Sequence, residues 1–348
     1  MHRAARVALC SIALASSAAA ARERDAFVDP LDVPAARSPL AARRLLSAVA
    51  LAGPRIVAAG QRGHVLYSDD GGQSWSQAEV PVSTDLTGLS FPSAERGWAV
   101  GHDGVVLASA DGGRSWQRQL DGRRVSALLA AAAAADGIAA EAREQLSFLV
   151  KQGADLPLLD VWFDDERSGT VVGAFGLILR TRDGGATWTP WLDRTENPKA
   201  LHLHAVRRAA GALWIAGEQG LVLKLDPGTE RFRRCPTPYD GSFFGLTGTD
   251  RAVLVFGLRG HVLRSADGGA SWQPVGTSLE AAITGGARAG EAAVTLVSSA
   301  GQVLVSRDDG QSFAAVATAR PLPISAVAVG GRGVALVGPF GARVDPIP

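Results

Sequence analysis

Short alternating apolar runs follow one another along most of this chain, each bounded by Gly, Asp or Pro. Leu86–Phe91, Gly97–Gly101, Val105–Ser109 and Trp116–Leu120 form one set of four, and period-two alternation between turn residues predicts β-strands. A fixed period organises the sets. Ser68-x-Asp70-x-Gly72-x-x-Trp75 returns at Ser109/Asp111/Gly113/Trp116, Thr181/Asp183/Gly185/Trp188, Ser265/Asp267/Gly269/Trp272 and Ser306/Asp308/Gly310/Phe313. A worn copy sits at Asp226-x-Gly228, with Phe232 one place late. The Asp-to-Asp steps are 41, 72, 43, 41 and 41, so only the second is irregular, by about 31 residues.

A second signature precedes each box: a Gly-x-x-Gly turn leading into an apolar strand, first at Gly60/Gly63 and Gly101/Gly104. It returns at Gly173/Gly176, Gly217/Gly220, Gly257/Gly260, as Ser298/Gly301, and at Gly338/Gly341, making seven turns for six boxes. Four-stranded units repeated radially at this spacing predict an all-β fold, a seven-bladed β-propeller. A linear β-solenoid is the alternative, although its repeats are shorter. The seventh copy runs out before its box. Residues 25–40, within an N-terminal extension of residues 21–43 ahead of a propeller at 44–348, could supply its outermost strand and close the ring.

The irregular step holds an Ala-rich insert, residues 122–156, between blades 2 and 3. Helical spacing of Glu141, Arg143, Glu144, Leu146, Phe148 and Leu149 predicts a short helix or helical hairpin. It falls in a connection between blades, on the face that also carries the Gly-x-x-Gly turns. There it could be a lid on the channel mouth or a docking element for a partner. The variable residues of the turns ring the same face, among them Arg62, His102, Asp103, Phe175, Glu218, Gln219, Arg259 and Phe340, and function is commonly carried by loops on a rigid scaffold.

The first residues have another purpose. Arg3 and Arg6, an apolar run from Val7 to Ala15 and the small residues Ala18-Ala19-Ala20 predict a Sec-type signal peptide over residues 1–20 and an exported, periplasmic protein. No later stretch is long and apolar enough to span a membrane. The 35 Lys and Arg against 34 Asp and Glu give a formal charge of +1, which becomes −1 once Arg3 and Arg6 are removed; this excludes a polycationic nucleic-acid coater. With Cys10 in the leader, Cys235 alone remains, so neither an intrachain disulfide nor a Cys-x-x-Cys site is expected.

The box residues suit a tight turn: Asp accepts backbone N–H groups, Gly supplies positive φ, and Trp packs between blades. One carboxylate per box is too few for calcium, so Asp70, Asp111, Asp183, Asp226, Asp267 and Asp308 are expected to be structural, as are Trp75, Trp116, Trp188, Trp272 and Phe313. His202-x-His204 could seed a zinc site, but no third ligand is identifiable, so rim or interior histidines are the simpler reading. No metal or other cofactor is expected. For catalysis, a sialidase pairs Tyr with Glu, and only Tyr67 and Tyr239 are available. A two-carboxylate glycosidase would have to use Asp103, Asp160 or Glu218, whose separation nothing in the sequence fixes. A non-catalytic protein is expected.

The box resembles the Asp-box, or bacterial neuraminidase repeat, of sialidases, some glycan hydrolases and sorting receptors. Seven blades, Asp-Gly-Gly-x-Ser/Thr-Trp boxes and an export signal together resemble the photosystem II stability/assembly factor propellers. Phe27-Val28-Asp29-Pro30-Leu31-Asp32, Gly173-Ala-Phe-Gly-Leu-Ile-Leu, Asn197-Pro198-Lys199 with Leu201-His202-Leu203-His204, and Gly217-Glu218-Gln219-Gly220 look like motifs of its proteobacterial subgroup. In phototrophs the family consists of non-enzymatic assembly factors that bind reaction-centre precursors through an arginine-rich face, for which Arg62, Arg259, Arg123 and Arg124 could stand in here. Asp103 and Glu218 interrupt that patch. Relatives in non-photosynthetic bacteria are exported proteins expected beside resistance-nodulation-division exporters. The resemblance implies a monomeric scaffold in the periplasm, or thylakoid lumen, that helps assemble a membrane-protein complex. A glycan-binding or glycoside-hydrolysing propeller is the alternative.

Overall fold

The repeating runs fold into seven antiparallel sheets around a central channel. The computed structural model describes residues 28–318, 321–331 and 333–346, so the leader and the start of the extension lie outside the described residues. Blade 1 pairs β1 (Leu46–Ala52), β2 (Arg55–Gly60), β3 (Val65–Ser68) and β4 (Ser76–Gln77) in that order, with β1 lining the channel. In blade 2 the strands are Leu86–Ser90, Gly97–Gly101, Val106–Ser109 and Gln117–Leu120, each within one residue of its expected bounds.

The box turns lie between the third and fourth strands. The Ser68 hydroxyl donates to Asp70 Oδ1 (2.7 Å) and accepts from the Gly72 N–H (2.8 Å). The Ser74 N–H and hydroxyl donate to the two oxygens of Asp70 (3.0 and 2.5 Å). The same arrangement holds at Asp111, Asp183, Asp267 and Asp308. These bonds favour the anion: the Thr187 hydroxyl and N–H, then the Thr181 hydroxyl, hold Asp183 at about 2. The worn copy is a tighter hairpin, with Asp226 opposite Arg231 in the ladder and Phe232 fully buried.

Each box leans on the blade before it. A Cβ added to Gly72, Gly185 or Gly310 would fall 2.3, 2.0 or 2.4 Å from Val344, Gln119 or Leu254 of the preceding blade. Trp116, Trp188 and Trp272 are buried in those interfaces, and Phe313 packs on the cluster around Leu254.

Blade 7 has three strands among the described residues, Ala326–Gly330, Gly333–Gly338 and Gly341–Asp345. The described part of the extension adds no fourth. Its Pro30–Asp32 and Ala41–Arg43 are 3-10 turns, and the chain between them hydrogen-bonds to blade 1 and its outgoing connection. The Ala35 N–H donates to the Val80 carbonyl (3.0 Å), the Ser38 N–H to Gln77 Oε1 (2.9 Å), and the Ser83 N–H to the Pro30 carbonyl (2.8 Å). Leu31 is buried among Val80, Val82 and Val105. The ring closes instead through blade 1, where Trp75 packs with Val337 and Ala342, and through β1 against the inner strand of blade 7.

The insert is a helical hairpin, α1 (Gly122–Ala134) and α2 (Ala140–Gln152). Asp121 caps α1 by accepting the Arg124 N–H (3.0 Å). Val125, Leu129, Leu146 and Leu149 join the core cluster of Trp188, Trp191 and Leu201. The hairpin packs on the core beside blade 3, and neither channel cavity has an insert residue in its lining.

Two outcomes are expected. Gly72→Ala places a methyl against Val344 at φ +90°, whereas Gly211→Ala at φ +74° meets nothing within 4 Å. Both pay the left-handed backbone cost of ~1–2 kcal/mol, and urea unfolding should show Gly72→Ala losing about 1–3 kcal/mol more from overpacking. The box carboxylates stabilise the fold above their unfolded value of 3.8, and this contribution is lost as pH falls toward about 2 for Asp183 and Asp308. Acid unfolding followed by circular dichroism should therefore become less steep in that window for Asp183→Asn, and an unchanged slope would contradict the assignment.

Candidate docking face

The Gly-x-x-Gly turns need an unusual backbone. Arg62, Asp103, Phe175, Gln219 and Arg259, each second in its pair, are left-handed with φ between 50° and 56°, and a glycine follows. At Gly220 the reason is visible: a Cβ would lie 1.8 Å from the Tyr239 carbonyl of the connection crossing above it. The turns and the connections between blades thus make one continuous face.

The expected charged residues divide. Arg62, Arg124 and Arg259 are exposed and form no ion pair among the described residues. Arg123 is engaged within the molecule, with Asp29 at 2.5 Å and Asp32 at 2.8 Å, and so ties α1 to the extension. Arg118 adds a bond to the Leu31 carbonyl (2.6 Å). His102 and Gln219 are exposed. Asp103 accepts the Thr84 hydroxyl, and Glu218 accepts the His202 N–H (2.9 Å). Asp160 is buried in the channel wall, paired with Arg207 and accepting the Val206 N–H (2.8 Å). The three carboxylates considered for glycoside chemistry therefore each serve a separate local contact. Tyr67 lies under Arg55 and Arg114, and Tyr239 stacks on His261 at 4.5 Å.

The inner strands carry a feature the sequence did not reveal. In six blades the register slips by one residue at the start of the inner strand, and the extra residue is Ser47, Thr87, Leu159, His204, Phe244 or Thr284. A bulge re-aims its side chain, and all six line the channel at the turn face, with Ser325 completing the ring in blade 7. Thr87, His204 and Thr284 reach the carbonyls of Leu158, Phe243 and Ile324 in the next blade at 2.8, 2.7 and 2.6 Å. The ring is small and polar except at blades 3 to 5, where Leu159, His204 and Phe244 stand.

Those residues continue outward as an aromatic row. Phe148 of α2 meets Phe175 at 5.7 Å, Phe175 meets His202 at 4.8 Å, His202 meets His204 at 6.4 Å, and His204 meets Phe244 at 6.0 Å. The two histidines are thus members of this row, and among the described residues no three His, Cys, Asp or Glu side chains converge as a metal site. The adjacent phenylalanines at 243 and 244 were a legible hint, since one of two neighbours on a strand must turn away from the core. The large apolar side chains exposed among the described residues are Phe148 and Phe244 of the aromatic row, Leu258 and Phe340 of the Gly-x-x-Gly turns, and Val28, Leu40 and Leu45 in or just after the extension. No described helix is long and apolar enough to cross a membrane.

Fold and face together define a seven-bladed propeller with an elaborated turn face. The chain belongs to the Photosynthesis system II assembly factor YCF48 family, whose model matches residues 56–128 and 139–320. The gap between these segments spans the end of α1 and the turn into α2. The Photosystem II assembly lipoprotein Ycf48 of Synechococcus sp. (strain CC9902) is 30% identical over 129 residues, 36% of this chain and 38% of that relative. Among solved structures, YCF48 bound to D1 peptide superposes with a TM-score of 0.63 at 16% identity, over 86% of this chain and 92% of that one. YCF48 from Cyanidioschyzon merolae gives 0.61 at 16% identity over 88% and 96%, and the WD40 propeller domain of Doa1 gives 0.63 at 8% over 90% and 95%. At these identities the superpositions establish the fold.

The Arg123 clip is testable. Its carboxylates are half exposed, so Arg123→Ala should leave global stability almost unchanged. Local opening of the extension should nevertheless rise, seen as faster hydrogen exchange at the Ala35 and Ser83 N–H groups. Unchanged exchange would show that Leu31 packing alone holds the extension.

Proposed function

We propose that this chain is a non-catalytic, exported and monomeric assembly or accessory factor that docks a membrane-protein partner on its turn face. The observation that carries the reading is the gathering of exposed large apolar side chains on that face, in the aromatic row and the Gly-x-x-Gly turns, beside the unpaired Arg259. Exposed apolar groups gathered in this way mark a contact surface, and a rigid ring bearing aromatic and Arg anchors suits recognition of an extended segment of a partner. A related propeller of the same fold has been solved with a D1 peptide, which supports a polypeptide as the ligand class. The partner in a phototroph would be a photosystem II precursor, and elsewhere a transporter or exporter complex.

The test is affinity purification from crosslinked envelopes of the host, comparing wild type with Phe148→Ala, Phe244→Ala and Arg259→Ala. These exposed side chains are better probes than deletion of the hairpin, which would uncover Trp188 and Leu201. Recovery of one membrane complex by wild type, reduced about tenfold or more for at least one variant, is expected. Equal recovery by every variant would sink the reading, and specific signals on a glycan array would favour the glycan alternative.

A further inference from the structure

Between the extension and blade 1 lies a cavity of about 670 Å³, within the range of small-ligand sites. Its polar lining includes Arg44, Arg62, His64 and Gln61, and no Asp or Glu lines it. Val33 and Pro34 supply an apolar wall. The two arginines are exposed and form no ion pair among the described residues. His64 is different: it is only 6% exposed, and its Nδ1 is buried without a hydrogen-bond partner. Buried polar atoms are nearly always satisfied, so an orphaned one beside two unneutralised cations needs an explanation.

We propose that this cavity is an oxyanion site, in which the Arg44 and Arg62 guanidinia and the His64 imidazole hold one phosphate or carboxylate group of a small ligand against Val33 and Pro34. Guanidinium groups present fixed donor pairs that match both oxyanions, and a protonated His64 imidazole in the cavity lining would add positive charge beside them. The wall formed by the extension makes the site a property of the folded N-terminal segment as well as of the propeller. It does not depend on partner docking, and its test uses the protein alone.

Proton linkage gives the site a signature. Burial holds His64 below the usual imidazole pKa, the Ala36 carbonyl opposes this, and the Arg62 and Arg44 charges add to it. Asp85, on the connection to blade 2, is held by the Arg62 N–H (2.7 Å). A bound anion favours the protonated imidazole, so binding takes up a proton and weakens as pH rises.

The probes are sulfate, which keeps its charge across this range and stands for a phosphate group, and acetate, which stands for a carboxylate. Each is titrated into the purified protein while the His64 ring resonances and the melting temperature are followed. A saturable shift is expected with at least one probe, weakened about tenfold or more by Arg44→Ala combined with Arg62→Ala. Affinity should be higher near pH 5.5 than near pH 8, and His64→Gln should abolish that difference. Arg96→Ala, on the opposite face, should change nothing. Response to sulfate alone assigns a phosphate-type ligand, and response to acetate alone a carboxylate. No saturable shift, or the same affinity in the double arginine variant, would overturn the proposal; because both arginines are exposed, that result stands even where His64→Gln does not fold.

Discussion

The contact on which this molecule depends is the lean of each box turn against the blade before it. Five hydrogen-bonded turns of the same design place a glycine, and next to it an aromatic ring, in a groove of the neighbouring sheet. A four-stranded sheet has two apolar faces and is unstable alone; stacking it radially buries both. The lean fixes the angle between sheets, and seven such angles complete a circle. The last contact in the circle is also a lean, Gly72 against Val344 with Trp75 beside it, made by a blade 7 of three strands among the described residues.

The described part of the N-terminal extension runs elsewhere. The extension, part of which could have supplied a fourth strand, crosses the turn face from Ala42 beside Gly341 of blade 7 to Asp29 and Asp32 beside Arg123 of α1. The hairpin insert does the same for blade 3. Both additions are anchored by apolar burial, Leu31 in one case and Leu129, Leu146 and Leu149 in the other, with ion pairs as clips between them. The seven-fold scaffold is nearly symmetric. Individual character comes from what is laid across it and from which residue each bulge aims into the channel.

The repeat was legible because its constraints are local: a Gly at positive φ, an Asp two residues after a hydroxyl, an aromatic three after the Gly. The blade count, the strand bounds of blade 2 and the helical insert follow from those marks. The partners of unrepeated residues were not legible. Arg123 read as part of an exposed basic patch, yet Asp29 and Asp32 lie more than ninety residues away in sequence and neutralise it. The bulges were hidden for a related reason, since a one-residue slip leaves the apolar pattern of a short strand unchanged and alters only the pairing. The places of Phe244 and His204 in the channel ring were therefore not readable from the strand pattern.

These differences divide the turn face into two chemically distinct halves. Over blades 3 to 5, the bulge residues and the hairpin build an apolar and aromatic surface whose rings fix one another's orientation. Over blade 1, the extension walls a cavity that carries unneutralised arginines. A symmetric ring of bulges bearing Ser or Thr would bind its neighbours and offer nothing outward, as Thr87 and Thr284 do with the carbonyls of the next blade. His204 makes that same bond and still presents its ring to Phe244 and His202, so one side chain both staples blade 4 to blade 5 and contributes to the exposed row. Packing between blades and the exposed aromatic row are thereby joined at the mouth of the channel.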